Sequence, residues 1–239
     1  MFAKLLQLPR DLLELVYPAA CLICEHPQTS PRTHLLCEKC LSDLAAQPLP
    51  NIHAISATRG GISGDHLDAV YAGWLFDAPM QAVIHAFKYR RRPSLSKVFG
   101  AMLAQRLQND LAREIQQGAP FDAVLVPVPL HRRRGRERGF NQSMLLAQAL
   151  AEIWKMKILL RALERIRFTQ QQATLTAPER QKNVAGAFAP SAKFNLQNHT
   201  IFLVDDVFTT GATMNACAVA LKSAGAARVV GLALAKAGN

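Results

Sequence analysis

The chain has 239 residues, half of them apolar, and 28 lysines and arginines against 17 acidic residues give a net charge of +11. This composition excludes a disordered polyelectrolyte, and no apolar run reaches the ~20 residues of a membrane span. The length suits one large domain, or a medium one with a small companion.

At the N-terminus, Leu5, Leu8, Leu12, Leu13 and Val16 predict a short amphipathic helix. Pro9, Arg10, Asp11 and Glu14 interrupt the apolar run, so it does not read as a signal peptide and the expected compartment is the cytoplasm. Two CxxC pairs follow, Cys21 with Cys24 and Cys37 with Cys40. Two thiolates on one tight turn bind one face of a metal, and a second such turn completes a tetrahedron. The spacing is that of a zinc ribbon or knuckle, and a closed four-cysteine site is structural because it keeps no open position. A rubredoxin-type iron site also fits four thiolates, and two disulfides are the rival in an oxidising compartment. His26 and His34 lie nearby and are expected at the surface.

Residues 45–66 read as a linker, with Pro48, Pro50, Gly60, Gly61 and Gly64 as punctuation. The expected domains are therefore 1–60 and 61–239. A strand is predicted over 70–76. Asp77 then caps a helix that ends at Lys88 and Tyr89, where a cation suits the dipole. Ser94 can cap a second helix with an apolar stripe through Val98, Leu103, Leu107, Leu111 and Ile115, ended by Gly118. Further strands are predicted at 122–128, 158–166, 200–206 and 227–235. Helices are predicted from Asn141 or Ser143 to Ile153, near 178–184, and over 212–224. Strands alternating with helices mean an α/β domain with a parallel sheet, whose ligands sit at the carboxyl ends of the strands.

The excess charge is uneven. Residues 121–200 carry thirteen basic and five acidic residues, a net +8, which points to an anionic partner: a phosphorylated metabolite or nucleic acid. Its densest part follows the 122–128 strand: His131, Arg132, Arg133, Arg134, Arg136 and Arg138. Arginine grips phosphates bidentately, so this stretch, read as a loop, is a candidate site for a diphosphate or for nucleic acid.

The stretch from Ile201 to Thr213 is the most specific. A buried apolar run enters Asp205 and Asp206, then Thr209, Thr210, Gly211, Ala212 and Thr213 lead into a helix. Free N–H groups at a helix start, a glycine for close approach and threonine hydroxyls make a phosphate seat. The carboxylates repel phosphate and suit sugar hydroxyls or Mg²⁺ at the other end of the same ligand.

This stretch resembles the phosphoribosyl diphosphate (PRPP) motif of type I phosphoribosyltransferases. The resemblance implies that Asp205 and Asp206 take the ribose, with Mg²⁺ accompanying PRPP, and that Thr209 to Thr213 take the 5-phosphate. Together with the four cysteines, residues His85 to Tyr89, the block Pro127 to Gln142 and the block Arg165 to Phe188, the chain resembles the ComF family over nearly its whole length. That implies a type I phosphoribosyltransferase-like parallel-sheet domain after a small zinc-ribbon module. It implies a mobile flap over 167–183, from which Arg167, Arg180 and Lys182 reach phosphates. It also gives His131 and the arginine stretch, with Lys88, a diphosphate or DNA role. The implied function is natural transformation, uptake of single-stranded DNA or use of external DNA, with DNA-uptake proteins, a helicase among them, as partners. An active phosphoribosyltransferase is the alternative, and the sequence shows no nucleobase hood for an acceptor.

Overall fold

The computed structural model describes residues 20–27, 35–50, 66–89, 92–117, 123–169 and 175–237. The N-terminal helix, His34, most of the linker and the expected boundary at 60/61 lie outside them. The chain divides into two compact units, residues 1–47 and 48–239.

In the first unit an antiparallel bridge joins Ala20 to Pro27, and the N–H of Cys21 donates to the carbonyl of His26. A short helix follows, α1 (Glu38–Ala46), capped by the Cys37 side chain, which accepts the N–H of Cys40. Only Leu36, Leu44 and two cysteines are buried among the described residues of this unit.

The second unit is built on a five-stranded sheet, all of whose pairings are parallel. Its strands are β1 (Ala69–Leu75), β2 (Ala123–Pro127), β3 (Lys157–Ile158), β6 (Thr200–Phe208) and β7 (Arg228–Lys236), in the order β1-β7-β6-β2-β3. A separate antiparallel hairpin joins β4 (Leu163–Arg165) and β5 (Phe188–Pro190). Ile201 to Val204 are fully buried, as are Leu125, Val126, Val229 and Val230. Unbroken apolar runs of this kind belong to strands covered on both faces.

The covering helices are α2 (Ala78–Tyr89), α3 (Leu95–Arg106), α4 (Gln108–Gln117), α5 (Arg132–Arg138), α6 (Gln142–Trp154), α7 (Ala177–Val184) and α8 (Ala212–Ser223). Helix α6 packs on β2 and β6 and carries α3 on its back, while α7 and β5 pack on α8. The α3–α6 crossing is close: a Cβ at Gly100 would lie 2.5 Å from that of Ala149.

Three elements differ from the sequence expectation, the first being the strand predicted at 158–166, which is two short strands, β3 in the parallel sheet and β4 in the hairpin. The helix predicted from Ser94 to Gly118 is two helices, α3 and α4, joined at Leu107, although Leu103, Leu107 and Leu111 stay buried in one stripe. Glu114 is also buried on α4, because Arg228 pairs with it at 2.7 Å and the Tyr71 hydroxyl donates to it at 2.5 Å. The arginine stretch, predicted as a loop, is mostly helix α5, capped by His131 and ended by left-handed Gly139.

Strand order fixes where the pocket lies. From β2 the chain continues to β3 at one edge, and from β6 it continues to β7 on the other side. The crevice beyond the carboxyl ends of β2 and β6 is thus a topological switch point, the usual ligand position in such sheets.

Candidate functional site

In the first unit the Sγ atoms of Cys21, Cys24, Cys37 and Cys40 all lie within 4.8 Å of one another. Thiolates at tetrahedral corners, with metal–sulfur bonds of ~2.3 Å, are ~3.8 Å apart. Cys24 and Cys37 are separated by 3.7 Å. The backbone N–H of Cys37 donates to Cys21 Sγ and that of Cys40 to Cys37 Sγ, both at 3.4 Å. Burial raises the Cys21 thiol, but the N–H groups of Cys24, Cys37 and Ile23 outweigh it and bring it down to about 6. Burial, and then the neighbouring thiols, push Cys40 the other way. A cation at the centre relieves that conflict, and the cluster could hold a metal ion such as zinc.

In the second unit a cavity of about 630 Å³ opens at the switch point. Its floor is Asp205 and Asp206 near the end of β6. The Ser143 hydroxyl and the Asp206 backbone N–H both donate to Asp205 Oδ1, at 2.8 and 2.9 Å. Lys88, from the end of α2, pairs with Asp206 Oδ2 at 2.8 Å. Burial, then the neighbouring Asp206 charge, raises the Asp205 carboxyl to about 6, against the pull of Ser143, the Asp206 N–H and Lys88. Two carboxylates in this setting are oxygen donors for a hard divalent cation or acceptors for sugar hydroxyls.

One side of the cavity is the loop from Thr209 to Thr213, all five residues of which line it. Gly211 caps α8 with φ of 76°, and a Cβ there would meet the Phe208 ring at 3.0 Å. Both facts demand glycine. The first turn of α8 begins at this loop and lines the cavity, where a helix N-terminus favours an anion.

The rest of the lining is rich in cations. Arg134 and Arg138, one turn apart on α5, line the cavity with Arg165 of β4 and Arg180 of α7. Their hydrogen bonds go to neutral groups: Arg134 to the Thr169 carbonyl, Arg138 to Gln142 Oε1, Arg165 to the Thr169 hydroxyl, Arg180 to the Leu175 carbonyl. Burial, followed by the like charge of Arg138, lowers the Arg134 guanidinium, and burial with Arg134 does the same to Arg165. Among the described residues, Arg165 Nε and Gln142 Nε2 are buried donors without a partner. Five lining cations face two carboxylates, and one cation is already matched by Asp206. The cavity lining therefore combines surplus positive charge with a carboxylate pair.

Residues 139–238 match the phosphoribosyl transferase domain. DNA utilization protein YhgH of Salmonella typhi is 34% identical over 154 residues, which are 64% of this chain and 66% of that protein. Competence protein F of Haemophilus influenzae is 30% identical over 160 residues, 66% of this chain and 69% of that one. The chain belongs to the ComF family. Within it, competence protein ComFC of Bacillus subtilis matches a shorter part: 31% identity over 107 residues, 45% of this chain and 41% of that one.

In this ComF-family chain Asp205, Asp206, the Thr209–Thr213 loop, Lys88, Arg134, Arg138 and Arg180 are brought to one cavity. His131, Arg132, Arg133, Arg136, Arg167 and Lys182 are not among its lining residues. His131 caps α5 by accepting the N–H of Arg133. Arg167 donates to the carbonyls of Asn183 and Ala185, closing the end of α7. The expected flap is described at 167–169 and from 175 onward; its middle lies outside the described residues. Sequence reasoning gave no ligand-site role to Arg165, Gln142 or Ser143, the last being expected only as a helix cap. For Ser143 and Gln142, the signal was their position at the start of a helix beside the arginine stretch. Arg165 lies within the strand expected over 158–166, but its pairing with β5, which forms the hairpin, was not expected.

Proposed function

We propose that the chain binds PRPP, or a related sugar carrying phosphates at both ends, together with Mg²⁺ in this cavity, and binds single-stranded DNA on the basic surface around α5. Its role would be in DNA uptake, natural transformation or use of external DNA. The observation that carries the ligand reading is the polarity of the cavity. A phosphate fits the Thr209–Thr213 loop, hydroxyls and Mg²⁺ fit Asp205 and Asp206, and a diphosphate fits Arg134, Arg138, Arg165 and Arg180. A ligand with one anionic end would leave four guanidiniums facing neutral groups. The names of the relatives, competence protein F and DNA utilization protein, support the DNA role.

A second reading, phosphoribosyl transfer, is favoured by the domain match and by the carboxyl of Asp205, raised to about 6 at the sugar end. In it the arginine wall stabilises the departing diphosphate charge. The cysteine unit is proposed to hold one structural zinc.

Calorimetry with Mg²⁺ and PRPP tests the pocket, and assay of released diphosphate with a panel of acceptors separates binding from transfer. Metal analysis of the purified protein tests the zinc. One zinc per chain, lost in Cys37→Ser, is expected; a metal-free wild type contradicts it.

A further inference from the structure

The two α5 arginines that reach the cavity share a second feature. Each lies over an aromatic ring that is open to solvent. The Arg138 guanidinium is 5.4 Å from the centre of Tyr89, which is 57% exposed. That of Arg134 is 5.9 Å from the centre of Phe168, which is 45% exposed. Arg133 lies 5.1 Å from the same Phe168 ring, and His131 meets it edge-on at 5.1 Å. His85 lies 4.9 Å from Tyr89.

These rings are not doing the work of a core. Phe140, the one aromatic inside the arginine stretch, turns inward and packs at 5.9 Å on Phe87, a fully buried residue. The fold thus has an inward place for an aromatic here, and Phe168 and Tyr89 stay outside it. Tyr89 also lines the cavity, but a phosphosugar offers no flat apolar surface to stack on either ring. A duplex hides its base faces. Single-stranded nucleic acid presents both kinds of group at once: unstacked bases for aromatic and guanidinium planes, and phosphates for the cations between them. Arg132 and Arg136 are exposed on the same short helix and supply such cations.

We propose that Tyr89 and Phe168 are base-stacking seats for a single-stranded nucleic acid that crosses α5 at the mouth of the cavity. Arg132, Arg133 and Arg136 hold its phosphates. This rests on the nucleic-acid reading given above and adds to it the groups that hold the bases. It also explains why a chain with only 7% aromatic residues can bind bases: two rings, each backed by guanidinium, serve a short contact rather than a long platform.

The test uses the full-length protein, a labelled oligothymidylate and an abasic oligonucleotide of the same length, compared by fluorescence anisotropy. Phe168→Ala and Tyr89→Ala should each weaken oligothymidylate binding about tenfold. Both should leave the abasic strand's affinity and the salt dependence unchanged, since neither removes a charge. Phe168→Trp should restore binding. Retained melting temperature in each variant shows that the fold is intact, as expected for exposed side chains. Equal wild-type affinity for the two strands, with both alanine variants silent, overturns the stacking seats and leaves phosphate binding standing. A wild type that binds neither strand removes the nucleic-acid reading itself.

Discussion

The floor and the wall of the cavity handle charge in opposite ways. On the floor, Asp206 is paired with Lys88, and Asp205 is held by Ser143 and a backbone N–H. On the wall, four arginines sit close together with carbonyls, a hydroxyl and an amide as partners. The floor is organised before any ligand arrives. The wall holds like charges that raise one another's cost until an anion comes. A ligand should therefore gain most of its affinity at the wall and most of its orientation at the floor.

The largest effect should come from the wall. Replacing Arg134 with Gln and Arg165 with Met removes two charged donors, each worth about 1.5–3 kcal/mol to a bound anion. Affinity for Mg²⁺–PRPP should drop roughly a thousandfold. Without ligand the same variant should melt at the same temperature as wild type or higher, because isolated buried charges destabilise a fold. A clear fall in melting temperature with unchanged affinity would make these arginines structural.

The floor should give less. Asp205→Asn with Asp206→Asn should weaken Mg²⁺–PRPP by roughly a hundredfold, measured by calorimetry. Unchanged affinity removes the sugar and Mg²⁺ role of the pair.

Much of this division could be read from the sequence, and the exceptions have physical causes. The strand, the paired acids and the threonine loop are contiguous, so their order alone placed an anion seat beside carboxylates. The arginine stretch was visible as charge, but which arginines enter the cavity depends on its being a helix. Arg134 and Arg138 then share a face, and Arg132, Arg133 and Arg136 turn away from it. A strand was expected over 158–166, which contains β4, but its pairing with β5 was not legible because the two strands are three residues each and 22 residues apart. Arg165 was therefore matched as part of a family block without a role. Phe168 and Tyr89 lie far apart in sequence and meet α5 only in the fold.

A smaller effect concerns pH. The carboxyl of Asp205 is raised in the folded protein, from about 3.8 to about 6. Folding thus favours its protonated form, and the associated stability is full below ~4 and lost as pH rises through 6. Asp205→Asn cannot ionise. Its stability relative to wild type should therefore increase between pH 4 and pH 7, by at most about 3 kcal/mol. Denaturant unfolding in the presence of a chelator checks this. A constant difference across that range would show that Asp205 is not strained by its burial.

The smallest expected change separates the outer face of α5 from the wall. Arg132→Ala with Arg136→Ala removes two phosphate contacts, so the slope of log affinity against log salt for single-stranded DNA should flatten by about 1.4. Mg²⁺–PRPP affinity should stay within about twofold, as neither residue lines the cavity. An unchanged slope would move the DNA path elsewhere.

The central claim, that one ligand spans both ends of the cavity, is tested most directly by comparing PRPP with ribose 5-phosphate in calorimetric titrations with Mg²⁺ present. The two share the 5-phosphate and the sugar and differ in the diphosphate. PRPP should bind at least a hundredfold more tightly to wild type, since several charged hydrogen bonds depend on that group. The advantage should largely vanish in the Arg134→Gln, Arg165→Met variant. Equal affinities in wild type, or an advantage that survives the double substitution, would contradict the account.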